Sequence, residues 1–274
     1  MHSTAPSRSH SGLRYGPDSA QAGDLYLPGR ARPPVVCLLH GGFWRMPYDR
    51  EQLTEVAQDL ASRGYAVWNI GYRRLGAVGG EWPASLSDVV LAVDHLATLV
   101  EQGFALDLDR VVIAGHSAGG QLALCAAARS EAVGVRVPRI PIAAVAGLAP
   151  VCDLAGTYRI GAGNDAVGAL LGGAPEQFPQ RYRAASPIER LPLGIPQLIV
   201  HGDQDPRLPL SLSAGYAAAA RSAGDRVEFV ELAGAGHMVF LDPCSQAHAT
   251  LCEWLARVSP AEPSVTTKPT RSDT

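Results

Sequence analysis

Gly115-His116-Ser117-Ala118-Gly119 stands where the apolar run 110–114 gives way to the alanine-rich stretch 121–129, which puts the pentad at a turn from a strand into a helix. A serine in such a turn is pinned in a sharp bend, and the flanking glycines remove side chains that would collide with the adjoining strand and helix. Its hydroxyl is presented at a helix N-terminus. The backbone N–H of Ala118 then points where negative charge would build on an attacked carbonyl oxygen. The pentad alone also describes an ordinary helix-capping turn, so the rest of the chain has to decide between the two.

Outward from the pentad, short apolar or β-branched runs predict strands at 24–27, 35–40, 66–70, 110–114, 142–148, 197–201 and 227–232. Helices are predicted at 49–62, 83–99, 121–129, 210–223 and 243–258. The first keeps Leu53, Val56, Ala57 and Leu60 on one face, and the second Leu86, Val89, Val90, Val93, Leu96 and Ala97. Strands alternating with helices imply a mostly parallel sheet with helices on both faces, an α/β fold in a single domain spanning 14–258. The stretch 150–193 breaks the alternation with Gly161, Gly163, Gly172, Gly173 and several prolines. It is expected to be a small lid-like insertion over the carboxyl ends of the strands. The Ser/His/Arg-rich stretch 1–13 and the Pro/Ser/Thr-rich stretch 259–274 are expected to be disordered tails.

With 274 residues, 47% hydrophobic and 18% charged, the chain can bury a sizeable core. A net charge of -3 without any Lys/Arg cluster argues against nucleic acid and anionic membranes, leaving small molecules as partners. No secretory h-region and no bilayer-length apolar run are visible, so a cytoplasmic location is expected. Five scattered cysteines without a C-x-x-C spacing read as buried free thiols. His95, His116 and His248 pair with no other histidine or acid at helical spacing, so no metal and no cofactor is expected.

A serine hydroxyl needs a base to take its proton and a carboxylate to orient that base. His201-Gly202-Asp203-Gln204-Asp205 follows one predicted strand and Gly234-Ala235-Gly236-His237 follows the next, which sets acid and imidazole on loops at the same sheet edge. The spacing favours Asp205 as the acid, with Asp203 bracing the loop; Asp203 itself and Asp153, after the preceding strand, are the alternatives. His237 is the candidate base. His40-Gly41-Gly42-Phe43-Trp44 follows an early strand, and the backbone N–H groups of Gly42 and Phe43 are candidates to complete an oxyanion hole with Ala118. Trp44, with Phe43, and Trp82 are candidate walls of a substrate pocket, although aromatic side chains beside loops more often pack in the core.

These motifs, in this order, resemble the α/β-hydrolase superfamily from about Tyr15 to Val258. The likeness is to esterase-like enzymes with an H-G-G-x-W loop, a group that includes kynurenine formamidases (arylformamidases) and carboxylesterases. The resemblance implies Ser117 as nucleophile, Asp205 as orienting acid, His237 as base, and an oxyanion hole from Gly42, Phe43 and Ala118. One departure is that Phe43 occupies the third glycine of the H-G-G-G form, so its side chain must turn away from the substrate carbonyl. The implied activity is cleavage of a small-molecule carboxylic ester through an acyl-enzyme. Arylformamidase action is the nearest alternative, and an inert ligand-binding pseudo-hydrolase is the alternative of another class.

Overall fold

The computed structural model describes residues 8–131 and 134–261. In chain order the strands are β1 (Arg8–Arg14), β2 (Ala22–Leu27), β3 (Pro34–Leu39), β4 (Ala66–Ile70), β5 (Asp107–His116), β6 (Ile142–Leu148), β7 (Gln197–Gly202) and β8 (Val227–Leu232). The helices are α1 (Thr54–Ser62), α2 (Ala84–Glu101), α3 (Ala118–Ala126), α4 (Leu154–Arg159), α5 (Ala166–Leu171), α6 (Pro179–Ala185), α7 (Leu210–Ser222) and α8 (Gln246–Val258).

Successive residues of a strand point to opposite faces, and the central strands are apolar at nearly every position because both faces are covered. Val35, Cys37 and Leu39 of β3 join Val111 and Ile113 of β5 in one core with α2, α3 and α7. The intervening Val36, Leu38, Val112 and Ala114 join the second core, under α1 and α8. Each fully buried valine or leucine side chain contributes about 1.5–3 kcal/mol, so the two layers fix the register of the sheet. The strand order is β1-β2-β4-β3-β5-β6-β7-β8. Pairing is antiparallel from β1 to β4 and parallel from β4 to β8, so the ends of β3, β5, β7 and β8 open onto one rim.

The N-terminal expectation needs correction. Arg8–Arg14 forms an edge strand against β2, and the Gly12 N–H donates to Asp24 Oδ1 at 2.7 Å where the register shifts. Its side chains are mostly exposed, so backbone pairing holds it and no apolar alternation marks it in the sequence. At the other end, Ser259 is buried, Ala261 packs against the α1/α8 core, and Arg110 Nη1 donates to the Pro260 carbonyl at 2.8 Å. Residues 1–7 and 262–274, the remainder of the two expected tails, lie outside the described residues.

Three helices begin differently from their sequence signals: α3 starts at Ala118, directly after the serine, rather than at Gln121. The segment from Asp49 opens as a 3-10 turn, Arg50–Leu53, before α1. The last helix starts at Gln246 rather than at Pro243, because the Ser245 side chain accepts from the His248 N–H. The cysteines are all free, but Cys244, in the turn before α8, is exposed and Cys252 only half-buried; Cys37, Cys125 and Cys152 are buried as expected. The insertion between β6 and β7 folds into α4, α5 and α6, whose Leu154, Val167, Leu170 and Tyr182 enter the α2/α3 core. Among the described residues no helix is long and apolar enough to cross a membrane.

Candidate active site

Ser117 sits between β5 and α3 at φ 55°, ψ -117°, a conformation that L-residues other than glycine rarely adopt. The turn is held by backbone alone: the Ser117 N–H donates to the Leu148 carbonyl at 2.9 Å, and the Ser117 carbonyl accepts from the Gln121 N–H at 3.1 Å. It is also tight. A Cβ on Gly115 would lie 2.2 Å from the Gly119 carbonyl oxygen, and one on Gly119 would lie 2.3 Å from that of Leu39. The serine hydroxyl is buried and makes no hydrogen bond.

The imidazole arrives from the loop after β8. His237 Nδ1–H donates to Asp205 Oδ2 at 2.6 Å, which leaves Nε2 for the narrow pocket of about 40 Å³ that His237 lines with Ser117. The Asp205 side chain is 1% exposed. Its Oδ1 accepts the N–H groups of Arg207 and Leu208 at 2.8 and 3.0 Å, and its Oδ2 also faces His201 Nε2 at 3.1 Å. Burial alone would push this carboxyl up. The hydrogen bonds from His201 and His237, the charge His237 carries when protonated, and the Leu208 N–H outweigh burial and hold it well below the usual carboxylate range. Asp203 accepts from the Gly234 N–H at 2.7 Å and so ties the acid loop to the histidine loop, while Asp153 accepts from the Gly156 N–H and caps α4.

The loop after β3 closes the other side. Gly42, Phe43 and Trp44 all have positive φ, at 105°, 50° and 56°. A Cβ on Gly41 would come within 3.2 Å of Ser117 Cβ, so this backbone lies directly against the serine. Gly42, Phe43 and Ser117 line one pocket, and Ala118 follows the serine as the first residue of α3. The Phe43 ring turns toward the insertion, where it would meet a Cβ on Gly163 at 2.4 Å. The structure does not bring the two tryptophans to this pocket. Trp44 is 0% exposed, and its indole N–H donates to Gln121 Oε1 at 2.9 Å; Trp82 packs at the edge of the α2/α3 core. The buried Gln121 amide gives the Trp44 indole a partner inside the core, which residue type alone does not reveal.

Several contributors escape the sequence reading. His201 supports Asp205 from one turn away; its Nε2 also faces the Leu208 carbonyl at 3.1 Å, which can only accept, so Nε2 carries a proton, while Nδ1 lies 2.7 Å from the Ser213 hydroxyl. Its i, i+4 spacing within the acid loop was the available signal. Gln121 ties Trp44 to the Ala185 carbonyl at the end of α6. His116 donates from Nε2 to the His237 carbonyl at 2.9 Å, and burial, with the nearby His237 charge, lowers it to about 3. Burial likewise lowers His40 to about 4, where it stacks on Tyr72 and hydrogen-bonds Gly41.

The small pocket opens into a cleft of about 820 Å³ between the Phe43 loop, the 160–164 loop and Arg207. Elsewhere, Asp59, His248 and Cys252 bring possible metal-ligating atoms within 4.8 Å of one another. The helical spacing of His248 and Cys252 is a pairing that a survey of histidines and acids passes over. Arg63 Nε lies 2.5 Å from the same Asp59 oxygen that meets His248, so that carboxylate is already neutralised.

The BD-FAE family matches residues 24–219. Esterase LipC of Mycobacterium tuberculosis is 26% identical over 238 residues, covering 81% of this chain and 58% of LipC. The kynurenine formamidase of Meyerozyma guilliermondii is 33% identical over 113 residues, covering 41% of this chain and 40% of that protein. The chain spans about half the length of the curated relatives it matches. A truncated carbohydrate esterase from gut microbiota superimposes with a TM-score of 0.77 at 20% identity, over 91% of this chain and 95% of that one, a likeness in the α/β-hydrolase fold.

Proposed function

The chain belongs to the BD-FAE family, and from that premise we propose that it is a serine hydrolase cleaving a small-molecule carboxylic ester through an acyl-enzyme on Ser117. The observation that carries this reading is a buried, unpartnered serine hydroxyl in a positive-φ turn, in one pocket with an imidazole whose other nitrogen is held by a saturated carboxylate.

Ser117 Oγ attacks the ester carbonyl carbon as its proton passes to His237 Nε2. The Asp205 carboxylate stabilises the imidazolium through the Nδ1–H bond. The oxyanion accepts from the backbone N–H groups of Ala118 and of Gly42 or Phe43. Collapse breaks the bond to the leaving oxygen, which takes the proton from His237 Nε2 and departs as the alcohol. Water then attacks the acyl-serine, His237 takes its proton and returns it to Ser117 Oγ, and the acid leaves. Asp205 keeps its charge to low pH, so the carboxylate stays available to stabilise the imidazolium across the neutral and mildly acid range.

The test is hydrolysis of p-nitrophenyl acetate by wild type and Ser117→Ala. Wild-type turnover and its loss in a variant with unchanged circular dichroism are expected; full activity in that variant contradicts the reading. The formamidase likeness favours a second substrate, an aryl formamide, cleaved by the same steps with an amine leaving group. Comparing kcat/KM for N-formylkynurenine with that for short p-nitrophenyl esters separates the two. Residence in the cytoplasm belongs to the same proposal and rests on the unpaired thiols of Cys37, Cys125 and Cys152.

A further inference from the structure

The cleft beside Ser117 has an unusual lining. Four of the seven exposed large hydrophobic residues among the described residues, Met46, Tyr48, Ile160 and Met238, face it or the small pocket it joins. Exposed apolar side chains gathered in one concavity mark a surface that binds something. Two guanidinium groups stand among them. Arg207 lines both the cleft and the serine pocket, and its backbone N–H is fixed on Asp205 Oδ1. Arg45 reaches across the cleft to donate to the Asn164 carbonyl at 3.2 Å.

Among the described residues neither guanidinium forms an ion pair with a carboxylate, unlike Arg50 and Arg74 on the neighbouring Asp49. The nearby acids make no ion pair with either guanidinium. Asp205 has both oxygens filled by N–H donors, Asp49 pairs with Arg50 and Arg74, and the Asp165 carboxylate turns toward Gly168. The cleft therefore sets exposed apolar side chains beside two guanidinium groups that form no ion pair, next to the serine.

We propose that this cleft selects an amphiphilic anionic substrate: an ester or amide with an apolar body and a carboxylate away from the scissile carbonyl, bound by Arg45 and Arg207. The proposal rests on the hydrolase reading for its chemistry but makes a separate claim about recognition. An unpaired guanidinium is a bidentate partner for a carboxylate, and one charge-assisted hydrogen bond is worth roughly tenfold or more in affinity.

The test compares carboxylate probes with their primary-amide counterparts. On the acyl side these are mono-4-nitrophenyl suberate and its suberamate analogue; on the alcohol side, 3-(3-acetoxyphenyl)propanoate and the matching propanamide. In at least one pair the carboxylate should be preferred in kcat/KM by about tenfold or more. The double variant Arg45→Gln/Arg207→Gln should bring that ratio toward one, and 1 M NaCl should shrink it. Absence of a carboxylate preference in both pairs, or a preference that the double variant keeps, overturns the proposal. Loss of turnover of the amide probes in Ser117→Ala reads the hydrolase chemistry apart from charge. If none of these probes is turned over, p-nitrophenyl acetate decides the hydrolase reading. Calorimetric binding of suberamate then decides the arginine claim alone: weaker binding to the double variant supports it, and equal binding overturns it.

Discussion

Two histidine–aspartate contacts of identical length, 2.6 Å, occur in this molecule, one between His237 and Asp205 on the rim of the sheet and one between His248 and Asp59 on the α1/α8 face. Their surroundings differ in three ways. Asp205 is 1% exposed and meets only N–H donors from the backbone and two imidazoles, whereas Asp59 is 27% exposed and shared with Arg63. His237 meets its acid through Nδ1 and keeps Nε2 for the serine pocket. His248 meets both Asp59 and Cys252 through the same Nε2, so nothing can be relayed from one side of the ring to the other. Finally, Ser117 is held by a turn that leaves its hydroxyl without a partner, while burial pushes the Cys252 thiol up to about 11, away from its nucleophilic form. Equal His–Asp distances thus sit in different settings: only the His237 ring stands between an acid and a candidate nucleophile.

Mutating each pair breaks or sharpens this contrast. The largest effect is expected from His237→Ala, a loss of about 10⁶-fold in kcat on p-nitrophenyl acetate, as for a base acting as a unit with its serine. His248→Ala should leave turnover per folded molecule essentially unchanged; a comparable collapse there would erase the distinction. Next, Asp205→Asn should lower kcat by about 10⁴-fold through loss of tautomer control, and Asp59→Asn should not.

The contrast extends to stability. Gly119→Ala, whose Cβ would strike the Leu39 carbonyl oxygen, should cost about 3 kcal/mol in urea unfolding. The smallest expected effect per residue concerns pH. His40 and His116 are held neutral with folded values of about 4 and 3, so the unfolded chain binds protons first. Their contribution is intact above the unfolded value of about 6.5 and is lost as pH falls below it, by about 2 kcal/mol each at pH 5. Urea midpoints at pH 7.5 and pH 5 measure the loss, which should shrink in His116→Asn. Asp205 adds nothing to that window, because its folded and unfolded values both lie below it.

Much of this was legible in the chain. The central strands and covering helices announce themselves because each is apolar with the period its burial requires. The elbow, the acid turn and the His237 loop follow from position after β5, β7 and β8. What escaped depends on features that residue type does not encode. The edge strand Arg8–Arg14 is held by backbone pairing under exposed polar side chains. Trp44 was expected near substrate, but its indole N–H finds the buried Gln121 amide, 77 positions away in the chain, and it packs in the core. Arg45 and Arg207 are far apart in the chain, and only the fold sets them across one cleft.

The most direct test of the central claim is labelling with a fluorophosphonate probe followed by peptide mass spectrometry. The account predicts one phosphonylated residue, Ser117, with the adduct absent in His237→Ala and retained in Cys252→Ala. An unlabelled protein, or a label on any residue other than Ser117, would contradict it.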